Sequence, residues 1–323
     1  MKLINNINLK NLPFVSICTP TFNRRPFIPN IIKSFMEQDY PMDKIEWIIV
    51  DDGTDCVKDI IDEYIIKYNL PQIKYYYFKE RMLLGKKRNL MHSLCNGEII
   101  IYMDDDDYYP KERISHAVEI LEQNKEYLIA GSSELHIYFK NLDKIYQFGP
   151  YKTNHSTAAT FAFRKELLLQ TSYDDNASLA EETQFLKNYS IPLIQLDILK
   201  TILVFSHSHN TFDKNILLEK PNESKIKESP YEINQFIKNN ELKDFYITKL
   251  EDQLKMYNEG HPIHKPEVLN QIKQIQDKRI QRQWEYNKSI EIQQLKSYYE
   301  KIINDKNYLI QELFKKIKDN KTI

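Results

Sequence analysis

The stretch Glu98–Pro110, EIIIYMDDDDYYP, ends an apolar run in four consecutive carboxylates, Asp104 to Asp107. Like charges that close repel, and burial at the end of a strand penalises each ionised acid further. A solvated acidic turn would ordinarily dilute them with neutral or basic residues. Capping by Asp107 of a helix after Pro110 accounts for one acid but not for the cluster. A divalent cation accounts for the cluster. Mg²⁺ or Mn²⁺ prefers oxygen ligands and takes one or two carboxylates together with substrate phosphates. Along an extended segment Asp104 and Asp106 fall on the same side. Without a cation, at least one of these acids should have a raised pKa.

Other chemically able residues also stand at the ends of apolar runs. VSICTPTFNRR carries Thr19, Pro20, Thr21, Asn23 and Arg24; WIIVDDGTD carries Asp52; LGKKRNL carries Lys86, Arg88 and Asn89. Asp52 also suits an Asx turn before Gly53, and Arg88 could serve simply as counter-ion to the acids. SLAEETQFLKNY sets Glu181 and Glu182 at the start of a helical pattern, where acids favour the helix dipole whatever else they do. VFSHSHNTF sets His207 and His209 two apart, so alternation puts both on one face of an extended segment.

The elements that must position these residues alternate regularly. PFVSICT, KIEWIIV, IKYYYF and EIIIYM predict strands, and YLIAGSS and LHIYF continue strand-like. FIPNIIKSFMEQ, VKDIIDEYIIKY, LGKKRNLMHSLCNG and KERISHAVEILEQ predict helices. That alternation predicts an α/β fold, a mostly parallel sheet flanked by helices on both faces. Such sheets bind ligands beyond the carboxyl ends of their strands, where the acidic run falls.

In their order and spacing, VSICTPTFNRR, WIIVDDGTD, LGKKRNL and YMDDDDYY resemble glycosyltransferase family 2, whose fold is the Rossmann-like GT-A fold. The resemblance covers about Leu12 to Asn210 and takes YMDDDD as the family's DxD motif. It implies a metal-dependent transferase that moves a hexose from a UDP-sugar to an acceptor hydroxyl, with Mn²⁺ or Mg²⁺ as cofactor. Thr19, Pro20, Thr21 and Asn23 would line the nucleotide pocket, with Arg24 near the base or diphosphate. Asp52 would accept the uracil N–H, and Lys86, Arg88 and Asn89 would face the nucleotide. Asp104 would contact ribose or metal, Asp105 would lie with it on the donor side, and Asp106 would bind the metal. His207 or His209 would meet the metal or diphosphate. Glu182 would remove the acceptor hydroxyl proton in an inverting transfer, with Glu181 orienting it. The family commonly has Asp at that second position, so the reach of Glu182 is in question. His155, Ser156 and Thr157 would touch donor sugar or acceptor, while Phe161 and Phe163 belong to the core.

A narrower likeness lies in DKIYQFGPYKTNHSTAATFAFRKELL, which is similar to giant-virus glucosyltransferases that act on galactosyl-hydroxylysine in collagen-like proteins. It implies UDP-glucose as donor and a glycosylated protein as acceptor. That linkage retains configuration, so under it Glu182 would position the acceptor instead. The alternatives are a polysaccharide-building transferase using another UDP-hexose, and a catalytically silent nucleotide-sugar-binding module.

Composition restricts the rest. The chain has 323 residues, 41% of them hydrophobic, and a net charge of −1, so no global field points to nucleic acid. Cys18, Cys56 and Cys95 are odd in number and lack a C-x-x-C spacing, against a disulfide framework or zinc site. The N-terminal stretch lacks a signal-peptide pattern, and no apolar run approaches the roughly 20 residues that span a bilayer. A cytoplasmic protein is expected (host cytoplasm or virion if viral). The expected organisation is a catalytic domain over 1–215, a loose linker over 216–266 and a helical extension over 267–323. In the extension Leu295, Tyr298, Ile302, Leu309 and Leu313 recur at helical spacing, suiting a helix laid on the catalytic domain or a homodimerising coil.

Overall fold

The computed structural model describes residues 12–219 and 225–319. The chain divides into two compact units between Leu269 and Asn270. In the first unit the strands are β1 (Val15–Thr21), β2 (Ile45–Asp51), β3 (Ile73–Tyr77), β4 (Ile99–Tyr102), β5 (Ile129–Gly131), β6 (Leu135–Phe139), β7 (Lys144–Phe148), β8 (Ala162–Arg164), β9 (Ile194–Gln195), β10 (Val204–Ser206) and β11 (Ile226–Glu228). One sheet has the order β3-β2-β1-β4-β8-β5-β9, and the other β10-β6-β7-β11. Strands β3, β2, β1 and β4 are mutually parallel, as the alternating pattern predicts; β8 runs antiparallel between β4 and β5. The expected helices form as α1 (Ile28–Met36), α2 (Lys58–Tyr68), α3 (Leu84–Leu94) and α4 (Arg113–Gln123). The fold is mixed α/β, a large, mostly parallel sheet with helices between its strands.

The central strands read as unbroken apolar runs because both faces are covered. Every residue of β2 and β4 is buried. Each fully buried Ile or Val there contributes about 1.5–3 kcal/mol. Register brings the strand ends level, with Thr21 opposite Asp51 and Cys18 opposite Tyr102. The polar residues that follow β1, β2 and β4 therefore converge on one sheet edge. Helix α3 approaches so closely that a Cβ on Gly85 would lie 1.9 Å from the Asp174 carbonyl oxygen.

The expected loose linker over 216–266 is corrected by the packing. Strand β11 pairs with β7, and Phe236, Leu242, Phe245, Tyr246, Leu250 and Leu254 are buried in a cluster with Phe27 and Phe205. A π-helical turn, Phe245–Lys249, joins the helices Asn240–Asp244 and Leu250–Lys255 and breaks the 3.6-residue period that would have revealed them. Residues 220–224 of that stretch, and residues 1–11 of the stretch examined for a signal peptide, lie outside the described set. The C-terminal helix Pro266–Asp319 is continuous over 54 residues. Within it Leu295, Tyr298, Leu309 and Leu313 are all more than half exposed. Among the described residues no helix is long and apolar enough to cross a membrane.

Candidate active site

A cleft of about 390 Å³ opens at the level strand ends. β1 contributes Pro20 and Thr21 with Phe22 and Arg24 after it; β2 is followed by Asp52; β4 is followed by Asp104 to Asp107. Helix α3 supplies Lys87 and Arg88, the segment before the short helix α5 (Glu182–Phe185) supplies Ser178 and Glu181, and α5 itself begins with Glu182. An adjoining hollow of about 520 Å³ shares Phe22, Asp52 and Arg81 and is walled by Asn23, Gly53 and Thr54.

The acid cluster is neutralised from both sides. Arg24 reaches Asp105 Oδ1 at 3.5 Å and Asp106 Oδ2 at 3.3 Å, and donates to the His209 carbonyl at 2.9 Å. His207 Nε2 lies 3.5 Å from Asp106 Oδ2. Burial pushes Asp106 upward, but Arg24 and His207 outweigh it and hold the carboxyl well below the usual range. Its neighbours go the other way. Burial raises Asp104, and together with Asp106 it raises Asp107. Asp105 is pushed up to about 7, chiefly by burial. Burial is thus the main cause of the raised acids, and the charge of Asp106 adds to it in each case.

Two oxygens in this cluster, Asp104 Oδ1 and Asp105 Oδ2, are buried without a hydrogen-bond partner. Orphaned carboxylate oxygens are costly, and a hard cation would satisfy them. Among the described residues no three His, Cys, Asp or Glu groups form a ready-made metal cage. The fit is thus to a divalent cation shared between one or two carboxylates and a ligand's phosphates.

On the far wall Arg88 lies 4.4 Å from the centroid of the Tyr102 ring. Its Nε donates to Glu181 Oε1 at 3.0 Å, and its Nη2 lies 3.6 Å from Asp104 Oδ1. One guanidinium therefore links the two groups of acids. Glu182 lacks that partner. Burial, then the Glu181 charge, pushes its carboxyl up to about 7, which poises it to exchange a proton near neutrality.

The sequence-predicted residues divide. Pro20, Thr21, Arg24, Asp52, Arg88, Asp104, Asp105, Asp106, Glu181, Glu182 and Thr157 line the cleft. Thr19 does not: its hydroxyl donates to the Met103 carbonyl at 2.5 Å and accepts from Trp47 Nε1 at 2.8 Å, bracing the sheet from inside. Asn23 has φ of 52° and faces the adjoining hollow, where its Oδ1 accepts from the Asp55 N–H at 2.9 Å. Lys86 is exposed on the other side of α3. Asn89 Nδ2 donates to the Tyr173 carbonyl at 2.9 Å and to Asp175 at 2.7 Å, so it anchors the backbone that leads to Glu181. His207 and His209 separate. The His209 ring turns to the Tyr257 carbonyl, 2.6 Å from Nε2, while His207 touches the acids. Alternation misled here because residues 207–210 leave the strand in a turn closed by His207 N donating to Asn210 Oδ1. Ser156 is buried against Thr160, and His155 stacks on Tyr189. Phe161 and Phe163 are core.

Residues not foreseen include Phe22, Arg81, Lys87, Lys214 and Lys265. Lys87 was detectable: counting back from buried Met91 at helical spacing reaches Arg88, Lys87 and Leu84, and leaves Lys86 outside. Lys87 donates to Asp52 Oδ1 and to the Thr21 carbonyl, while Asp52 Oδ2 accepts from the Met82 N–H at 2.6 Å.

Residues 16–175 match the family described as Glycosyl transferase family 2. The chain is similar to the poly(ribitol-phosphate) beta-N-acetylglucosaminyltransferase TarS of Staphylococcus aureus, 30% identical over 116 residues, which are 34% of this chain and 19% of the relative. It is also similar to the putative colanic acid biosynthesis glycosyl transferase WcaA of Escherichia coli, 36% identical over 107 residues, 33% of this chain and 37% of that protein. Both matches span less than half of the relative's own length. Among solved structures, the mannosyltransferase PcManGT from Pyrobaculum calidifontis, in complex with GDP-Man and Mn²⁺, shares the fold. Its TM-score is 0.50 at 18% identity, over 61% of this chain and 58% of that one.

Proposed function

We propose, from the match of residues 16–175 to glycosyl transferase family 2, that the chain is a metal-dependent glycosyltransferase using a UDP-sugar. The observation that carries this reading is the gathering of Asp104–Asp107 and Glu182 around one cleft, with Arg88 linking the two groups. Asp52 would receive the uracil N–H. Each of its oxygens already accepts one bond, and a carboxylate oxygen has a second lone pair to offer.

Asp104 and Asp106 would hold Mn²⁺ or Mg²⁺, with His207 adjoining Asp106. When bound, the cation supplies positive charge against a departing diphosphate. The chain's own residues do the rest. Arg24 keeps Asp106 ionised. Glu181 pairs with Arg88, and burial, then the Glu181 charge, raises Glu182. Glu182 then accepts the proton from the acceptor hydroxyl as that oxygen bonds to the anomeric carbon and the sugar–phosphate bond breaks, its electrons leaving on the diphosphate.

A narrower reading, UDP-glucose as donor and a galactosyl-hydroxylysine hydroxyl as acceptor, draws on the similarity of residues 143–168; that linkage retains configuration, so under it Glu182 would position the acceptor instead of taking its proton. Screening donor and acceptor panels tests it, and transfer only to polyol-phosphate or capsule-type acceptors would reject it. The core reading is tested by calorimetry of UDP with Mn²⁺. Wild type should bind and Asp106→Ala should lose the metal-dependent part; equal binding by both removes the acids from the site. The homodimer reading of the C-terminal helix is separate, and light scattering that gives a monomer mass for the full chain rejects it.

A further inference from the structure

We propose that Lys265, which lies beyond the family match, is a donor-binding residue that contacts the diphosphate of the nucleotide sugar. This rests on the glycosyltransferase reading of the cleft and adds to it a residue from the C-terminal part of the first unit.

Three cations gather around the ring of Phe22, which itself lines the cleft. Arg81 lies 4.2 Å from the ring centroid, Lys265 5.4 Å and Lys87 6.0 Å. Two of them have carboxylate partners: Lys87 pairs with Asp52, and Arg81 with Glu267. Lys265 is 9% exposed, and its ammonium donates to the Thr211 hydroxyl at 3.0 Å. Among the described residues it forms no ion pair, and burial pushes it down to about 7, with Asp105 and Asp106 opposing that only at longer range. A buried ammonium whose sole close partner is neutral is costly. An anion entering the cleft would offset that cost. In this cleft the anion expected beside the Asp104–Asp107 corner is a diphosphate, which gains negative charge as the sugar leaves.

The surrounding contacts hold Lys265 in place for that role. Arg81 Nη1 donates to the His264 carbonyl at 2.6 Å, fixing the backbone next to it. Further back, Asn23 Nδ2 donates to the Glu259 carbonyl at 2.8 Å, and Tyr257 Oη donates to Asp55 at 2.8 Å. Gly260 lets this strap pass against β1's turn: a Cβ there would lie 2.6 Å from the Asn23 carbonyl oxygen. The strap is thus tied to Asn23, Asp55 and Arg81, and Lys265 at its end lines the cleft.

The test is calorimetry of the full chain with UDP and with uridine, both with Mn²⁺ present. Lys265→Met keeps the aliphatic stem against Phe22 and removes the charge. It should weaken UDP roughly 10–100-fold, the range of a hydrogen bond to a charged group, and leave uridine unchanged; Lys265→Arg should recover most of the loss. Unchanged UDP affinity in Lys265→Met, with wild type binding normally, overturns the assignment and leaves the glycosyltransferase reading standing. Equal weakening of UDP and uridine also overturns it, since that marks a structural role. Failure of wild type itself to bind UDP removes both. Should Lys265→Met not fold, Lys265→Gln carries the same comparison.

Discussion

The two walls of the cleft solve one electrostatic problem on different frameworks. At the strand ends, Arg24 pairs with both Asp106 and Asp105, yet burial still raises Asp105 to about 7. On the opposite wall, Arg88 takes Glu181 and leaves Glu182 raised to about 7. Each wall thus pairs an arginine-bound carboxylate with a neighbour raised to about 7. The first wall is built on β1, β2 and β4, whose register fixes where the acids emerge. The second is built on loop backbone, with Ala180, Lys187, Asn188 and Tyr189 all at positive φ. Rigid strand ends suit a site that must bind charge repeatedly in the same geometry. The loop wall depends on long-range contacts from α3 to hold its acid in position, and it is the wall that mutation should disturb more easily.

The largest effect should come from Glu182→Gln, with kcat falling roughly 10²–10⁴-fold, the range of a lost general base. UDP affinity, set at the other wall, should not change; a parallel loss in both would mean that the walls are not separable. Arg24→Met should then cost about 3–5 kcal/mol in denaturant unfolding at neutral pH, because it leaves buried acids unpaired. The penalty should shrink as pH falls below 7, where Asp105 takes up a proton. A cost independent of pH would break the electrostatic account of that wall.

Next comes Gly85→Ala. Its Cβ would meet the Asp174 carbonyl and push the backbone that leads to Glu181. Turnover should drop by as much as about 10²-fold through misplacement, with UDP binding kept. If UDP binding fell instead, the strand-end wall would be the fragile one. Smaller still is the pH response. Glu182 must be ionised to accept a proton, so the rate should rise with pH through about 7 and fall roughly tenfold per unit well below it. Glu182→Gln should flatten that limb. The smallest effect is Asn89→Ala, which removes the bonds to Tyr173 and Asp175 and should cost about 1 kcal/mol of stability. It should reduce turnover more than donor binding.

What the sequence determined by itself was local. Strands and helices were legible because apolar periods of two and 3.6 residues follow from backbone geometry. The strand-end acids were legible because they directly follow buried runs, so Asp52 and Asp104–Asp107 needed no knowledge of distant contacts. Tertiary structure decided everything that depended on which face of an element turns inward. It put Lys87, not Lys86, in the cleft, sent Thr19 into the sheet and separated His207 from His209. It packed the expected linker through a π-helical turn that hides its period. Above all it brought Lys265 beside Phe22 across a separation of 243 positions in chain order. No local pattern encodes that approach: it is fixed only when Arg81, Asn23 and Asp55 bond to the strap.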